Sequence, residues 1–351
     1  MGTLVVLLAA TLALPAGASA PGSDSEPEAR LGRVELQGES TLARERKTLA
    51  QLFKAEALFA KHHALAPAAA LRFKVYARTQ ADRAPAMQLD LVTAGGRQPV
   101  VLDAEDRFDV DPAWRALDEG TEIRSRLADG RVTWRPDIRS PGVPAGERRL
   151  GDLRLQCRVG FESGVARGLS PLSRLLALAL PRDGCTTRGR SASSFADAPI
   201  FAVTLVHGSQ RLTLSALNLH GLRDRYGERY DWGYSLRERM FRLPMGDERW
   251  PDDTRVVFET MDDPPTPPEP ALSALQDDWV RAALALEPGV APAEVAQRLG
   301  PASDDTVFES GPRLQRHVHD VVTPQGRLPV EVVSVFGADG GLRKAQLRRA
   351  E

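Results

Sequence analysis

Cys157 and Cys185 are the two cysteines of this 351-residue chain and its first candidates for covalent chemistry. A catalytic thiol needs a histidine partner and a local signature, and neither accompanies them. A metal site needs a fuller ligand set than two cysteines without C-x-x-C spacing. A disulfide needs only the pair, and it is the default in an exported chain. With 28 residues of separation it would contribute about 3–4 kcal/mol in the chain-entropy account. His317 and His319 alternate along an expected strand, so both could face one metal, but no third ligand accompanies them. His62 and His63 end an expected helix, where they complement its C-terminal dipole. The acidic pairs Asp252-Asp253, Asp262-Asp263, Asp277-Asp278 and Asp304-Asp305 lack the D-x-[DN]-x-[DN]-G spacing of a calcium loop and read as solvated charges. The chain has no G-x-S-x-G, S-x-x-K, H-E-x-x-H, P-loop or G-x-G-x-x-G after a strand, so no catalytic set, metal or cofactor is assigned.

One aromatic cluster remains: Tyr226, Tyr230, Trp232, Tyr234, Phe241 and Trp250. It is either a recognition surface, since Tyr and Trp are enriched at binding hot spots, or a satellite core under a long loop. The same region, 218–250, would hold the site if the chain were a hydrolase-like enzyme, around His220, Asp224 and Asp231.

The elements that must position these residues follow from periodicity. Residues 40–62 have a helical apolar stripe (Leu42, Leu49, Leu52, Phe53, Phe59, Ala60), with Ser40 or Thr41 as cap and three lysines opposite. The period then falls to two at Leu71, Phe73 and Val75, at Leu89 and Leu91, and at Val132 and Trp134. Gly95-Gly96 and Asp129-Gly130 read as hairpin turns, and 102–108 as another hairpin with Asp106 where glycine would be easier. Residues 153–161 read as a strand carrying Cys157, and 166–180 as an apolar segment ended by Pro181. A hairpin is expected at 200–214 around His207-Gly208-Ser209. The fold class is therefore α+β, mainly antiparallel β: an N-terminal helix plus a β-sandwich-like body, then a small two-helix, antiparallel-sheet C-terminal domain.

The domain plan begins with residues 1–20 as a secretory signal peptide, with an apolar run from Leu4 to Leu14 and small residues offering cleavage after Ala18 or Ala20. That run is shorter than the ~20 apolar residues of a spanning helix, so no transmembrane segment remains after cleavage. Residues 21–30 are a disordered leader. Residues 31–162 form the helix plus β-sandwich-like domain, and 163–263 a second β-rich segment with a disulfide-tied insertion. Residues 264–271 are a Pro-rich linker, with PPTPPEP over 264–270, and 272–351 the last domain. Formal net charge is −1, which argues against nucleic acid as a partner. The charge is uneven: 14 Arg against 7 acids over 121–190, and 10 acids against 2 Arg over 247–280. These runs are solvated faces, partners of each other, or a polar docking surface.

The C-terminal stretch reads L-E-P-G-V-A-P-A-E-V-A-Q-R-L-G-P at 286–301 and V-x-x-V-F-G-A-D-G-G-L at 332–342. It resembles the SmpA/OmlA family over about 80 residues. The resemblance implies two helices packed on a small antiparallel sheet and a role in binding proteins rather than in chemistry. The expectation is thus an exported, non-enzymatic envelope protein, periplasmic or secreted, that binds an envelope protein partner.

Overall fold

A computed structural model describes residues 46–78, 87–127, 131–165, 185, 193–221, 237–264 and 266–350. The signal segment, the leader and the apolar stretch 166–180 lie outside them. The first part of the chain contains β1 (Arg46–Thr48), α1 (Leu49–His62), β2 (Ala70–Ala77), β3 (Leu89–Thr93), β4 (Gly96–Val100), β5 (Arg107–Phe108), β6 (Glu122–Ser125) and β7 (Val132–Arg139). Next come β8 (Glu147–Arg149), α2 (Leu150–Ser163), β9 (Ser193–Phe195), β10 (Ile200–His207), β11 (Gln210–Thr213), β12 (Met240–Arg242) and β13 (Arg255–Thr260). The last part has α3 (Pro270–Ser273), α4 (Asp278–Leu284), α5 (Pro292–Leu299), β14 (Asp304–Val307), β15 (Arg313–Thr323), β16 (Gly326–Phe336) and β17 (Leu342–Arg349). Among the described residues every strand pairing is antiparallel, so the class is α+β and mainly antiparallel.

Helix α1 starts later than its apolar stripe implies. Thr48 caps it, accepting from Gln51 N at 3.3 Å while Gln51 Oε1 accepts from Thr48 N at 3.0 Å. Residues 46–48 are instead a strand paired with β6. Leu49, Leu52 and Ala55 enter the first core with Phe73, Phe108 and Trp134, whose rings meet at 5.4–5.9 Å. Two sheets enclose that core, ordered β1-β6-β3-β4 and β5-β2-β7. The β3–β4 hairpin forms as expected, closing at Thr93 and Gly96. Asp129-Gly130 lies outside the described residues, and the flanking strands do not pair with each other: β6 pairs with β3 and β7 with β2. The 102–108 turn is tight, with Asp106 at φ 62 and the Asp103 carboxylate accepting from Glu105 N and Arg107 N. It delivers β5 to β2.

Residues 153–161 are not a strand but the body of α2. Its apolar residues serve two cores: Leu155 and Val159 enter the first, Leu150 and Leu153 the second. A helix buried on two sides puts apolar residues at alternate positions and so imitates a strand's period. Gly151 permits the close approach, since a Cβ there would lie 2.2 Å from the Leu65 carbonyl oxygen. The 200–214 hairpin forms as β10–β11 within a sheet ordered β11-β10-β13-β8.

Ahead of α5 the C-terminal domain has two short helices rather than one, α3 and α4, and the Asp277 side chain caps α4 by accepting from Val280 N at 3.1 Å. Helix α5 begins on Pro292 and ends at Gly300. These helices cover one face of a sheet ordered β14-β15-β16-β17. The other face packs on the preceding residues: Leu314, Val333 and Val335 share a core with Phe201, Ala202, Ala216, Met261 and Phe308. The Pro-rich 264–271 segment thus marks a change of sheet, not a gap between cores. Residues 266–269 lie along β17, where Thr266 O accepts from Gln346 Nε2 at 3.0 Å and Glu269 pairs with Arg349 at 3.2 Å.

Candidate binding site

Strand alternation divides β2 and β7 between two environments. Phe73, Val75 and Trp134 turn into the first core. Arg72, Lys74, Tyr76, Arg135, Asp137 and Arg139 occupy the opposite face, with Arg107 of β5 beside them. That face is a network. Asp137 is 2 % exposed and ion-paired to Arg107 at 2.8 Å, Arg139 at 2.9 Å and Arg148 at 3.5 Å. Asp197 reaches over from the next segment to Lys74 at 2.6 Å and Arg139 at 2.9 Å. Burial alone would raise the Asp137 carboxyl, but Arg148, Arg139 and Arg107 outweigh it and hold it below the usual carboxylate range. Asp197 goes the same way: burial opposes, and Arg139 and Lys74 prevail.

At the Tyr76 end of this face lies a shallow recess of about 30 Å³, room for one or two water molecules. Tyr76, Arg135 and Pro136 line it from the sheet, Gln156, Cys157 and Phe161 from α2, and Ser193, Ser194 and Phe195 from β9. Arg135 lies over the Phe195 ring at 4.6 Å, and Phe195 clusters with Tyr76 and Met240. Pairing of β9 with β12 fixes the serines, and Gln156 accepts from Ile138 N at 3.2 Å and Arg148 at 3.0 Å. Burial, with Asp137 and Asp197 nearby, pushes the Tyr76 phenol up, so it stays a neutral donor.

The cysteines on the recess wall are joined: Cys157 and Cys185 form a disulfide with Cα atoms 5.8 Å apart. The other candidate residues scatter. Trp250 and Phe241 are buried in the second core, Phe241 edge-on to Phe258 at 4.9 Å, so for these two the core reading holds and Trp250 is not a surface anchor. Tyr226, Tyr230, Trp232, Tyr234, Asp224 and Asp231 lie outside the described residues. His220 is fully buried, with φ 58, and burial lowers its pKa to about 3, so it stays neutral. His317 donates through Nδ1–H to Gly300 O at 3.0 Å, while His319 stacks on Trp279 at 5.0 Å and meets Asp277 at 3.3 Å. Among the described residues no group of three or more His, Cys, Asp and Glu is placed to hold a metal ion. The two uneven charge runs do meet in part: Arg154 pairs with Asp252 at 2.6 Å and donates to the carbonyls of Met245 and Trp250.

Sequence reasoning missed Tyr76, Arg135, Ser193 and Ser194. Their signal is a polar residue at alternate positions of buried strands, which reads as a solvent face until a second segment is known to cover it. No helix among the described residues is long and apolar enough to cross a membrane. The fold and recess define a disulfide-bonded α+β protein of mainly antiparallel sheets. No family model, no curated protein and no solved structure matches the chain.

Proposed function

We propose that the chain is an exported protein of the cell envelope, periplasmic or secreted, that acts by binding a protein partner. The observation that carries the reading is the Cys157–Cys185 disulfide, because such bonds persist in oxidising compartments and are rare in the cytosol. It stands beside the signal-like residues 1–20. The binding role draws on the SmpA/OmlA-like sequence at 286–301 and 332–342, and short helices on one face of an antiparallel sheet support that likeness. The partner surface is the outer end of the β15–β16 hairpin. Val318 and Val322 project there from the face that further along the sheet packs on the body, and Val322 is 80 % exposed.

The test has two arms. Thiol labelling in intact cells should leave Cys157 and Cys185 unmodified until reductant is added; prompt labelling in a cytosolic fraction overturns the export reading. A photo-crosslinking residue at position 322 should give a discrete adduct with an envelope protein, lost on Val318→Asp. Absence of any such adduct overturns the binding reading.

A further inference from the structure

We propose that two copies of the chain pair through β11, antiparallel about a two-fold axis at Leu212, so that the sheet β11-β10-β13-β8 continues into its copy. The pairing uses neither Val318 nor Val322 and does not depend on the partner surface on β15–β16.

The edge of a sheet is a row of N–H and C=O groups that templates another strand, and folds close such edges. Along β7, Lys47 Nζ donates to Trp134 O at 2.7 Å, Arg148 to Ile138 O at 2.6 Å, and Ile138 N to Gln156 Oε1 at 3.2 Å. In β8, Glu147 N donates to Pro144 O at 3.1 Å, and in β1 Thr48 N donates to Gln51 Oε1 at 3.0 Å. Pro99 removes a donor from β4, and Asp304 and Asp305 put two charges on β14. Residues 266–269 lie along β17.

Strand β11 has none of these devices. Leu214 N donates to Val203 O at 2.9 Å, and Leu212 stands opposite Leu205, so the inward bonds of this ladder fall at Leu214, Leu212 and Gln210. The N–H and C=O groups of Arg211 and Thr213 therefore point away from β10, and no group among the described residues bonds to them. Two-fold complementarity then selects both the occupant and the register. With the axis at Leu212, Arg211 N–H donates to the copy's Thr213 O and Thr213 N–H to the copy's Arg211 O, so all these groups are satisfied. An axis at Arg211 would set one guanidinium against the other. An axis at Thr213 would run the ladder into Ser215, which is 2 % exposed and held by Glu331. Leu212 is only partly buried against the second core. It meets Leu212 of the copy as a non-hydrogen-bonded pair, the arrangement that brings side chains closest. The charge of Arg211 faces Thr213, whose hydroxyl lies 3.0 Å from that of Thr204. An unrelated strand needs no such two-fold match, whereas a copy does. One short strand from each copy gives a small interface, so the dimer is a weak one.

Sedimentation velocity of the purified full chain, disulfide intact, from about 10 to about 500 μM tests the pairing. The expected result is a reversible monomer–dimer equilibrium within that range. Thr213→Pro removes an N–H that the monomer does not use and should weaken dimerisation about ten-fold or more. Leu212→Cys tests the register and carries the experiment if Thr213→Pro does not fold. The two native cysteines are bonded to each other, so the new thiol is the only free one. Non-hydrogen-bonded partners lie about 4.5 Å apart at Cα, within disulfide reach. Mild oxidation should give a covalent dimer with Leu212→Cys and none with Ser209→Cys, whose thiols this register leaves about 20 Å apart at ~3.4 Å per residue. A monomer throughout the range, undiminished dimerisation of a folded Thr213→Pro, absence of a covalent Leu212→Cys dimer, or equal crosslinking of Ser209→Cys overturns the proposal.

Discussion

The two faces of the β14–β17 sheet are buried by opposite means. Against α3, α4 and α5 the face is apolar: Val321, Val330, Val332, Phe336 and Leu347 pack with Leu272, Val280, Val295 and Leu299. Against the body, the same strands present Arg316, Glu331, Lys344 and Arg348, all under 5 % exposed, around a few apolar residues. Glu331 accepts from Arg316 at 2.7 Å, Ser215 Oγ at 3.1 Å and Ala216 N at 2.7 Å. Two cations reach the Phe201 ring, Lys344 at 4.5 Å and Arg348 at 4.6 Å, and its carbonyl accepts from Arg348 at 2.9 Å. Lys344 also pairs with Glu259 and donates to Thr260 O and Asp263 O. An apolar face loses stability in proportion to the atoms removed, whereas a charged face fails when one partner goes and leaves the rest desolvated. The helices could pack on many similar sheets; the charged face fits one neighbour.

Glu331→Ala is the sharpest way to break this contrast. It leaves Arg316 with only Asp304 at 3.3 Å and removes the acceptor of the buried Ser215 Oγ and Ala216 N, and it should cost about 3–5 kcal/mol in urea unfolding. Leu347→Ala, on the apolar face, should cost about 2–4 kcal/mol. If Glu331→Ala proves the milder of the two, the contrast fails. Away from both faces, replacing Cys157 and Cys185 together by serine should cost about 3–4 kcal/mol, chiefly by freeing the unfolded chain, and should leave the difference between the faces intact.

Acid should weaken the charged face first. His220 adjoins it, with its ring 5.2 Å from that of Phe308 and Arg348 and Arg237 in its electrostatic surroundings. Its folded pKa is about 3 against about 6.5 unfolded, so the unfolded chain takes up a proton that the fold refuses. The stabilisation is complete above pH ~6.5 and falls steadily as pH drops towards 3. Urea midpoints across that range should decline more steeply for the wild type than for His220→Asn, a residue that tolerates the positive φ. Parallel curves would remove His220 from the account. The smallest effect expected is that of Thr48→Ala, which removes one helix cap far from either face and should cost about 1 kcal/mol. A larger loss would mean that α1 is coupled to more than its own core.

Local signals were the legible ones. Pro292 and Gly300 bound α5, and the strands of the last sheet follow their period of two. Elements with two buried sides were not. Helix α2 alternates like a strand because two cores share it, and the polar faces of β2, β7 and β16 read as solvent-facing although other segments cover them. Glu331 shows why: its partners Ser215 and Ala216 lie 116 and 115 residues away in sequence. The recess was hidden for the same reason, since Tyr76, Arg135 and Ser194 carry no spacing pattern that anticipates their meeting.

The charged face joins the last sheet to the preceding body as one cooperative structure, across a proline-rich segment that would otherwise separate them. Native-state hydrogen exchange tests it directly. The amides of β15 and β16 and those of β10 and β13 should exchange through one opening of equal free energy in the wild type, and Glu331→Ala should separate them. Independent opening of residues 272–350 in the wild type would contradict it.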